Sequence, residues 1–403
     1  MLNFLKKLRS AIANEQSSMV SPYASGCNDF TFNLLRNTKE KENIICSPKN
    51  ISDCLGMLYL ATREETYTAF RSTCCYPDDP SATGKYIRDI NQSLSADKEC
   101  TIRTANGLWC QNSYPFDSAY VRFVRDVFGA EFATADYTNM ANHKHIADDI
   151  NGWIGKQTRG KDGEPLIKDL VNSGDFAVDT VVTLVSAIYY LGKFKTKFDN
   201  ASTHKQPFNL NDDSQADCQM MKQRDDYLMA DLKDCQVLIV PYAGSTVLTL
   251  ILPKKIGTLA DIEKKLTHST YTSMCAAATM GTTIVMFPKF KISTELELKE
   301  PLEECGLEIA FSDRADFRGM LVENTTERQQ GIKISSAIHK AFVDTTEEGT
   351  EAAAATATVL RGGSARIPPV RIFKADHPFL FTISHQPTGC ILFVGRHTKP
   401  AGY

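Results

Sequence analysis

Residues 347–369 read EEGTEAAAATATVLRGGSARIPP. Two glutamates and a glycine lead into a run of alanine and threonine, with no proline before Pro368. Because alanine has a high helix propensity, composition alone favours a short surface helix or a low-complexity linker. The sequence on both sides of this segment indicates a different structure.

Strand patterns flank this segment. Upstream, residues 332–344 form a long β-type pattern. Downstream, residues 379–383 and 390–395 are apolar runs, and the Pro-Thr-Gly of 387–389 between them is a hairpin signal. A segment of small residues between such strands can be interpreted as a strand that does not yet belong to a sheet.

The composition of residues 349–363 suits that interpretation. Gly349 permits the sharp change of backbone direction with which an insertion begins. Side chains alternate between the two faces of a strand, so Glu351 would point outward. The residues that would point inward are all small: Thr350, Ala352, Ala354 and Thr356.

Two motifs carry a family resemblance. The sequence EEGTEAAAATA from Glu347, followed by FKADHPFLF at 373–381, resembles the hinge and C-terminal signature of serpins, the serine protease inhibitors. The SPKNI of 47–51 and the TANGLW of 104–109 are similar to other serpin segments. The resemblance implies an α+β fold with three β-sheets, including a large central sheet A, surrounded by about eight or nine helices.

The resemblance also implies how the chain is divided. We predict a single serpin domain over residues 1–403, because no proline- or glycine-rich linker interrupts the sequence. Residues 347–369 would be an exposed reactive-centre loop, and residues 1–26 a basic, amphipathic N-terminal extension. The hinge of the loop would consist of Glu347, Glu348, Gly349, Thr350, Glu351, Ala352, Ala353, Ala354, Ala355 and Thr356.

Composition limits the compartment and the partners. The chain is 42% hydrophobic and 23% charged with a net charge of -3, so we expect no nucleic-acid partner. It contains no apolar run of about 18 residues, so we expect no transmembrane segment. The first ten residues lack the apolar core of a signal peptide. We expect a cytoplasmic protein, or one secreted without a recognisable signal peptide, and an extracellular location stays open.

The cysteine pattern and the motif search exclude several site types. The twelve cysteines contain no CxxC pair, so we expect reduced thiols and no zinc site, and we predict no cofactor and no metal. The sequence has neither a GxSxG nucleophile motif nor a GxxxxGK[ST] phosphate loop. Lys85, Arg88 and Lys98 lie where some serpins bind heparin, but Asp89 and Asp97 dilute the charge, so we expect no heparin site.

The resemblance implies a suicide-substrate mechanism. A serine protease attacks a bond in the loop, forms an acyl-enzyme, and is trapped in this covalent complex when the loop inserts into sheet A. The protein would therefore be a monomeric inhibitor consumed as a substrate, and not an enzyme. Alternatives are a non-inhibitory chaperone or carrier with the serpin fold, and an inhibitor of a cysteine protease.

The bond that the protease attacks has several candidates. The family register, counted from Glu347, gives Gly363–Ser364. Arg361–Gly362 would suit a trypsin-like enzyme and shortens the loop by two residues, whereas Arg366–Ile367 lengthens it by three. Leu360 or Val359 would serve an enzyme of the chymotrypsin or elastase type.

The resemblance also assigns a gate at which sheet A opens. The family's serine, asparagine and histidine at this place become Asn50, Ser186 and His339, with the first two polar residues exchanged. We therefore expect Asn50 within hydrogen-bonding distance of Ser186 or His339.

Two further residues are assigned where the loop would insert, in the region that serpins call the breach. Phe194 replaces the family's tryptophan, so the indole hydrogen bond is lost. Lys289 matches a lysine that pairs with Glu347, and such a pair would hold the hinge outside the sheet. If exposed, the pair would contribute at most about 1 kcal/mol.

Overall fold

The computed structural model describes residues 22–38, 42–160, 163–212, 214–323, 331–348 and 369–402. In these ranges the chain folds as an α+β protein. The α-helices are α1 (Pro22–Asn37), α2 (Pro48–Tyr59), α3 (Glu64–Thr73), α4 (Pro80–Ala96), α5 (Ser118–Phe128), α6 (His143–Gln157), α7 (Leu259–Lys265), α8 (His268–Ala276) and α9 (Lys299–Leu302).

The strands form two hydrogen-bonded sheets. They are β1 (Ile44–Cys46), β2 (Cys100–Gln111), β3 (Glu131–Ala135), β4 (Val182–Gly192), β5 (His204–Asn209), β6 (Gln215–Asp231), β7 (Cys235–Pro241), β8 (Thr246–Pro253), β9 (Thr279–Pro288), β10 (Phe290–Glu297), β11 (Ile334–Thr345), β12 (Arg371–Lys374), β13 (Phe379–His385) and β14 (Cys390–His397).

The smaller sheet has five strands in the order β10-β11-β4-β2-β3. The larger sheet has nine, in the order β1-β14-β13-β8-β7-β6-β9-β12, with β5 also paired to β6. The 17-residue strand β6 pairs with β5 through its first residues and with β7 through its last. Two of the three sheets expected from the sequence are therefore joined into one hydrogen-bonded network by β6.

Strand β4 is buried along its whole length, as its apolar run predicts for a strand covered on both faces. Leu184 and Ile188 point into the main hydrophobic core, whereas Val185 and Ala187 point into a second core on the opposite face. This alternation follows from the two-residue period of a strand. Side chains at even positions of β4 therefore face the main hydrophobic core, and those at odd positions face the second core.

Helices α2 and α6 cover the two faces of the five-stranded sheet. Helix α2 contacts β2, β4 and β14, and all twelve of its residues are buried. The Ser47 side chain accepts a hydrogen bond from the Asn50 backbone N–H, and Pro48 occupies the first turn. Both features are typical of the start of a helix. Helix α6 places Ile146, Ile150 and Ile154 in the second core, as the helical spacing predicts.

Several sequence predictions are confirmed by these elements. The helical spacing of apolar residues over 145–156 predicts a helix, which is α6, and the apolar runs at 237–242 and 246–252 predict a hairpin, which is β7–β8. The hairpin expected over 379–395 is β13–β14. Among the described residues no helix is long and apolar enough to cross a membrane. Within the same ranges, no group of three or more His, Cys, Asp or Glu side chains is placed to hold a metal ion.

Candidate functional site

The centre of the five-stranded sheet is a parallel pair of strands. β11 and β4 are direct neighbours, in register from Ile334 with Val182 to Phe342 with Tyr189. Their outer neighbours β10 and β2 are both antiparallel to them. We call this contact the β4–β11 boundary. It joins two strands about 150 residues apart in the sequence, so nothing local in the chain holds it closed.

Polar side chains meet under this boundary, on the face that α2 covers. His339 on β11 is the register partner of Ser186 on β4, and Ser186 is the partner of Asn106 on β2. His339 Nδ1 lies 2.9 Å from Ser186 Oγ. From α2, Asn50 Nδ2 donates to Ser186 Oγ at 2.9 Å and to the Ala187 carbonyl at 3.2 Å. The contact expected between Asn50 and Ser186 is therefore present.

The hydrogen bonds fix which nitrogen of His339 carries the proton. The Ser47 backbone N–H donates to Nε2 at 3.0 Å, so Nε2 is an acceptor and the Nδ1–H donates to Ser186 Oγ. Burial lowers the pKa of His339 to about 3, which keeps the ring neutral. Ser186 Oγ therefore accepts from both His339 and Asn50.

Asn106 is a member of this cluster that sequence reasoning missed. Its Nδ2 donates to Asn50 Oδ1 at 3.0 Å, and its own Oδ1 is buried without a hydrogen-bond partner among the described residues. The TANGLW segment predicts a strand, and its two-residue period places Asn106 on the same face as the buried Leu108. A polar residue on the inward face of a predicted strand is the sequence signal that could have pointed to Asn106.

The first two hinge residues, Glu347 and Glu348, are hydrogen-bonded to the segment that directly follows β4. The Phe198 N–H donates to the Glu347 carbonyl at 2.8 Å, and the Phe194 N–H donates to the Glu348 carbonyl at 3.0 Å. Lys197 also lies 3.5 Å from the Glu348 carboxylate. These contacts hold the chain leaving β11 beside the end of β4.

The ion pair predicted between Lys289 and Glu347 is formed, with Nζ 3.0 Å from Oε2. Its side chains are only 19% and 9% exposed, so it is less accessible than an ordinary surface pair. Burial acts to raise the pKa of Glu347, but hydrogen bonds to the carboxylate, including one from Lys289, hold that pKa below its usual value. The carboxylate is therefore charged at neutral pH.

Phe194 occupies an aromatic cluster next to these contacts. Its ring stacks on Tyr242, with centroids 5.0 Å apart and planes 10° from parallel, and meets Phe198 and Phe287 edge-on. A phenyl ring in this position contributes apolar contact but no hydrogen bond. The loss of the indole hydrogen bond expected from the sequence is thus offset here only by packing.

Part of the predicted site lies outside the described residues. This holds for the hinge positions from Gly349 to Thr356 and for all the candidate cleavage sites, which are Arg361, Gly362, Gly363, Ser364 and Arg366. The candidate heparin residues are described: Lys85 and Arg88 are exposed on α4, and Lys98 is exposed just after it.

Comparison with known proteins places the chain in a family. A family profile described as Serpin (serine protease inhibitor) matches residues 25–400. The leukocyte elastase inhibitor of Bos taurus is 33% identical over 372 residues, covering 89% of this chain and 93% of the relative. Serpin B3 of Homo sapiens is 31% identical over 393 residues, covering 92% and 96%. The chain therefore belongs to the serpin family.

Solved structures agree with this assignment. The crystal structure of Serpin48 from the insect Tenebrio molitor superposes with a TM-score of 0.80 at 26% identity, covering 94% of this chain and 98% of that one. Human thyroxine-binding globulin, solved in complex with its hormone, gives a TM-score of 0.82 at 26% identity, covering 96% and 100%. The fold is thus the serpin fold, and its relatives include proteins named as protease inhibitors.

Proposed function

We propose that this protein is a suicide-substrate inhibitor of serine proteases and that the β4–β11 boundary is where its cleaved loop inserts. The protease serine attacks a carbonyl within 349–368 and forms an ester, while the amide nitrogen leaves as a free amine. The segment still attached to β11 then enters the sheet and carries the esterified protease with it. Residues 1–403 act in this process as one domain.

The observation that supports this proposal is the parallel pairing of β4 with β11. A strand that continues from β11 and reverses direction at Gly349 runs antiparallel to β11, and therefore also antiparallel to β4. One parallel ladder is replaced by two antiparallel ladders, which are slightly more stable per residue. Insertion therefore adds hydrogen bonds at about 0.5–1.5 kcal/mol each.

The polar cluster under the boundary fits a role as a gate. Insertion must separate His339 from Ser186, and their contact is a directional hydrogen bond that cannot stretch gradually. Ser186 keeps its bonds from Asn50 on α2 when β11 moves away, so only part of the cluster is disrupted. The uncleaved protein thus stays closed, and the side-chain contribution to the barrier, beside the backbone ladder, is limited to a few bonds.

A matched pair of hinge variants tests the mechanism. Thr350→Arg puts a charge on the inward face of the inserting strand, where burial costs several kcal/mol. Glu351→Arg puts the same charge on the outward face and serves as the control. We expect Thr350→Arg to be cleaved without forming an SDS-stable complex, and Glu351→Arg to keep the complex. An unchanged complex with Thr350→Arg would refute insertion.

The target is tested by cleavage mapping. Relatives named leukocyte elastase inhibitor support an elastase-like target, for which Val359 or Leu360 would serve. Gly363–Ser364 stays an alternative because the family register points to it. Arg361–Gly362 stays an alternative because its arginine suits a trypsin-like enzyme. Mass spectrometry of the fragment released by elastase, chymotrypsin and trypsin identifies the bond. Cleavage by all three without any covalent complex would favour a non-inhibitory carrier.

The described cysteines support a reducing compartment. None of the twelve forms a disulfide in the described part of the chain, and most are buried. Cytosolic proteins keep their thiols reduced, whereas secreted proteins usually pair them. We therefore infer a protein that works inside the cell, which activity assays in reducing and non-reducing buffer would check.

A further inference from the structure

A cavity of about 510 Å³ lies between the end of α4 and the beginning of β2. Its volume suits a small organic molecule, since ligand pockets typically measure about 300–1,000 Å³. Exposed residues at its rim, among them Ser95 on α4, leave it open to solvent. The apolar part of its wall comes from five elements, which contribute Leu94 on α4, Ile102 on β2, Phe128 on α5, Ile188 on β4 and Leu392 on β14.

A buried ion pair forms the polar end of this cavity. Lys49 on α2 lines the cavity and is only 2% exposed. Its ammonium donates to the carboxylate of Asp53, one turn further along α2, and to Asn91 Oδ1 on α4. Asn91 lines the cavity, whereas Asp53 does not. The ammonium therefore bridges the buried carboxylate and the cavity wall.

Two N–H groups at this polar end have no acceptor among the described residues. An ammonium has three N–H donors, and Lys49 uses two of them. The amide nitrogen of Asn91 has two, of which one reaches Asp53 Oδ2 at 3.4 Å. Because Asn91 Oδ1 accepts from the ammonium, the two remaining N–H groups lie close together. One oxygen atom of a ligand can accept from both.

The charges at the polar end favour an uncharged ligand. Burial raises the pKa of Asp53, and the charge of Lys49 with hydrogen bonds from Lys49, Tyr23 and Asn91 opposes that rise. Asp53 already balances the ammonium, so a carboxylate ligand would bring in a second negative charge that nothing compensates at a buried site. A carbonyl oxygen adds no charge and has two lone pairs for the two N–H groups.

The charges at the rim do not alter this preference. Asp97 and Lys98 line the rim with opposite charges, and the Asp97 carboxylate accepts from the Ser245 backbone N–H at 2.6 Å. Arg103 also belongs to the wall, but it shares the face of β2 on which Ala105 enters the second core. Its guanidinium therefore points away from the polar end formed by Lys49.

We propose that this cavity binds a small, uncharged, apolar molecule that carries a carbonyl oxygen, such as an aryl ketone. The carbonyl oxygen accepts from Lys49 and Asn91, and the carbon skeleton lies among the apolar residues of the wall. The site includes no residue of 347–369, so this inference goes beyond the proposed inhibition and stands or falls without it.

The test uses the full chain and the fluorescent ketone prodan, a dimethylaminonaphthalene with one propionyl group, whose emission shifts to the blue in an apolar site. Two analogues compete with it: one has a methylene group in place of the carbonyl, and the other has a carboxylate. We expect prodan to bind and the methylene analogue to bind about tenfold more weakly, the loss expected for a hydrogen bond from a charged donor. The carboxylate should also bind more weakly than prodan.

A matched pair of variants locates the binding. Ser95→Phe fills the rim and should abolish the blue shift. Gln92→Phe puts the same ring on an exposed position of α4 that does not line the cavity, and should keep it. Blue-shifted binding that persists in Ser95→Phe overturns the proposal, as does the absence of binding to the wild type.

A double variant tests the polar end. Lys49→Met combined with Asp53→Asn removes both charges, so that no unpaired charge is left buried. Prodan should bind this protein about tenfold more weakly, and its advantage over the methylene analogue should shrink. Equal affinity of the wild type for prodan and the methylene analogue overturns the proposal, as does tighter binding of the carboxylate. Both comparisons use the unmodified chain, so a folding defect in the double variant leaves them intact.

Discussion

The β4–β11 boundary and the end of β14 each contain a fully buried histidine, and the two are held in opposite ways. Burial lowers the pKa of both His339 and His397 to about 3. Both ring nitrogens of His339 are hydrogen-bonded, to Ser47 and to Ser186. The ring of His397 stacks on Phe379 at 4.9 Å, and neither of its nitrogens has a hydrogen-bond partner in the described part of the chain.

Under the proposed mechanism, this difference distinguishes the sheet that opens from the sheet that stays closed. At β11 the histidine acts through two directional bonds, which exist in one geometry and are lost together when the strands part. At β14 it acts as an aromatic ring among Phe208, Phe290 and Phe379. A ring packed among apolar neighbours in this way has no other partner to move to, so no interaction favours its leaving the cluster.

Cleavage within 349–368 should have the largest effect on stability. It should change the β4–β11 boundary and leave the end of β14 unchanged. Insertion should add about ten ladder hydrogen bonds, each contributing about 1 kcal/mol. In a large chain each kcal/mol raises the melting temperature by about 2 °C, so we expect a rise of about 20 °C. NMR should show the ring signals of His339 shifted and those of His397 unchanged. A nicked protein that melts at the original temperature would contradict the insertion mechanism.

Acid should destabilise both regions. The folded pKa values are about 3 for His339 and His397 and about 4 for His385, against 6.5 in the unfolded chain. The unfolded chain therefore takes up protons first, and stability present above pH 6.5 is lost as the pH falls towards 3. Each histidine should lower the free energy of unfolding by about 1.5 kcal/mol between pH 6.5 and pH 5.

Urea unfolding at the two pH values measures this loss, with His397→Phe as the comparison. That variant lacks one of the three histidines and should lose about 1.5 kcal/mol less than the wild type. Equal losses in the two proteins would show that His397 does not titrate as its burial predicts.

The same substitution at the two histidines should have opposite signs at pH 7. His339→Phe leaves the Ser47 N–H without a partner and removes a donor to Ser186, which should destabilise the protein by about 2–4 kcal/mol. His397→Phe replaces two unpaired nitrogens by apolar atoms and should stabilise it by about 1 kcal/mol. Denaturant titration of both variants checks the signs. Equal destabilisation by the two substitutions would show that the two histidines are not held in different ways.

The smallest effect is expected at the Lys289–Glu347 pair. Lys289→Ala should lower the free energy of unfolding by about 1 kcal/mol, because Glu347 loses a charged donor at a mostly buried site but keeps its other hydrogen bonds. If the pair holds the hinge outside the sheet, the variant should insert its loop faster after cleavage. Stopped-flow fluorescence with a target protease measures that rate, and Lys291→Ala is a matched control because Lys291 pairs with Asp344 within β11 and not with a hinge residue.

Much of the fold and part of the site could be predicted from the sequence. The buried run of β4, the helical spacing of α6 and the turn at 387–389 each depend on residues a few positions apart, so local periodicity predicts them. The Asn50–Ser186 contact was predicted only because the serpin resemblance assigned both residues. Asn106 had no such assignment, and a single polar residue in a strand pattern does not reveal its partner.

The sequence by itself determined which face of several elements is apolar and that a segment of small residues, 347–369, follows a strand pattern. Only the tertiary structure decided that β4 and β11 are parallel neighbours, with His339 opposite Ser186, and that Asn106 joins Asn50 beneath them. The physical reason is that periodicity specifies which side of an element is buried, whereas the packing of distant elements selects which buried sides come into contact.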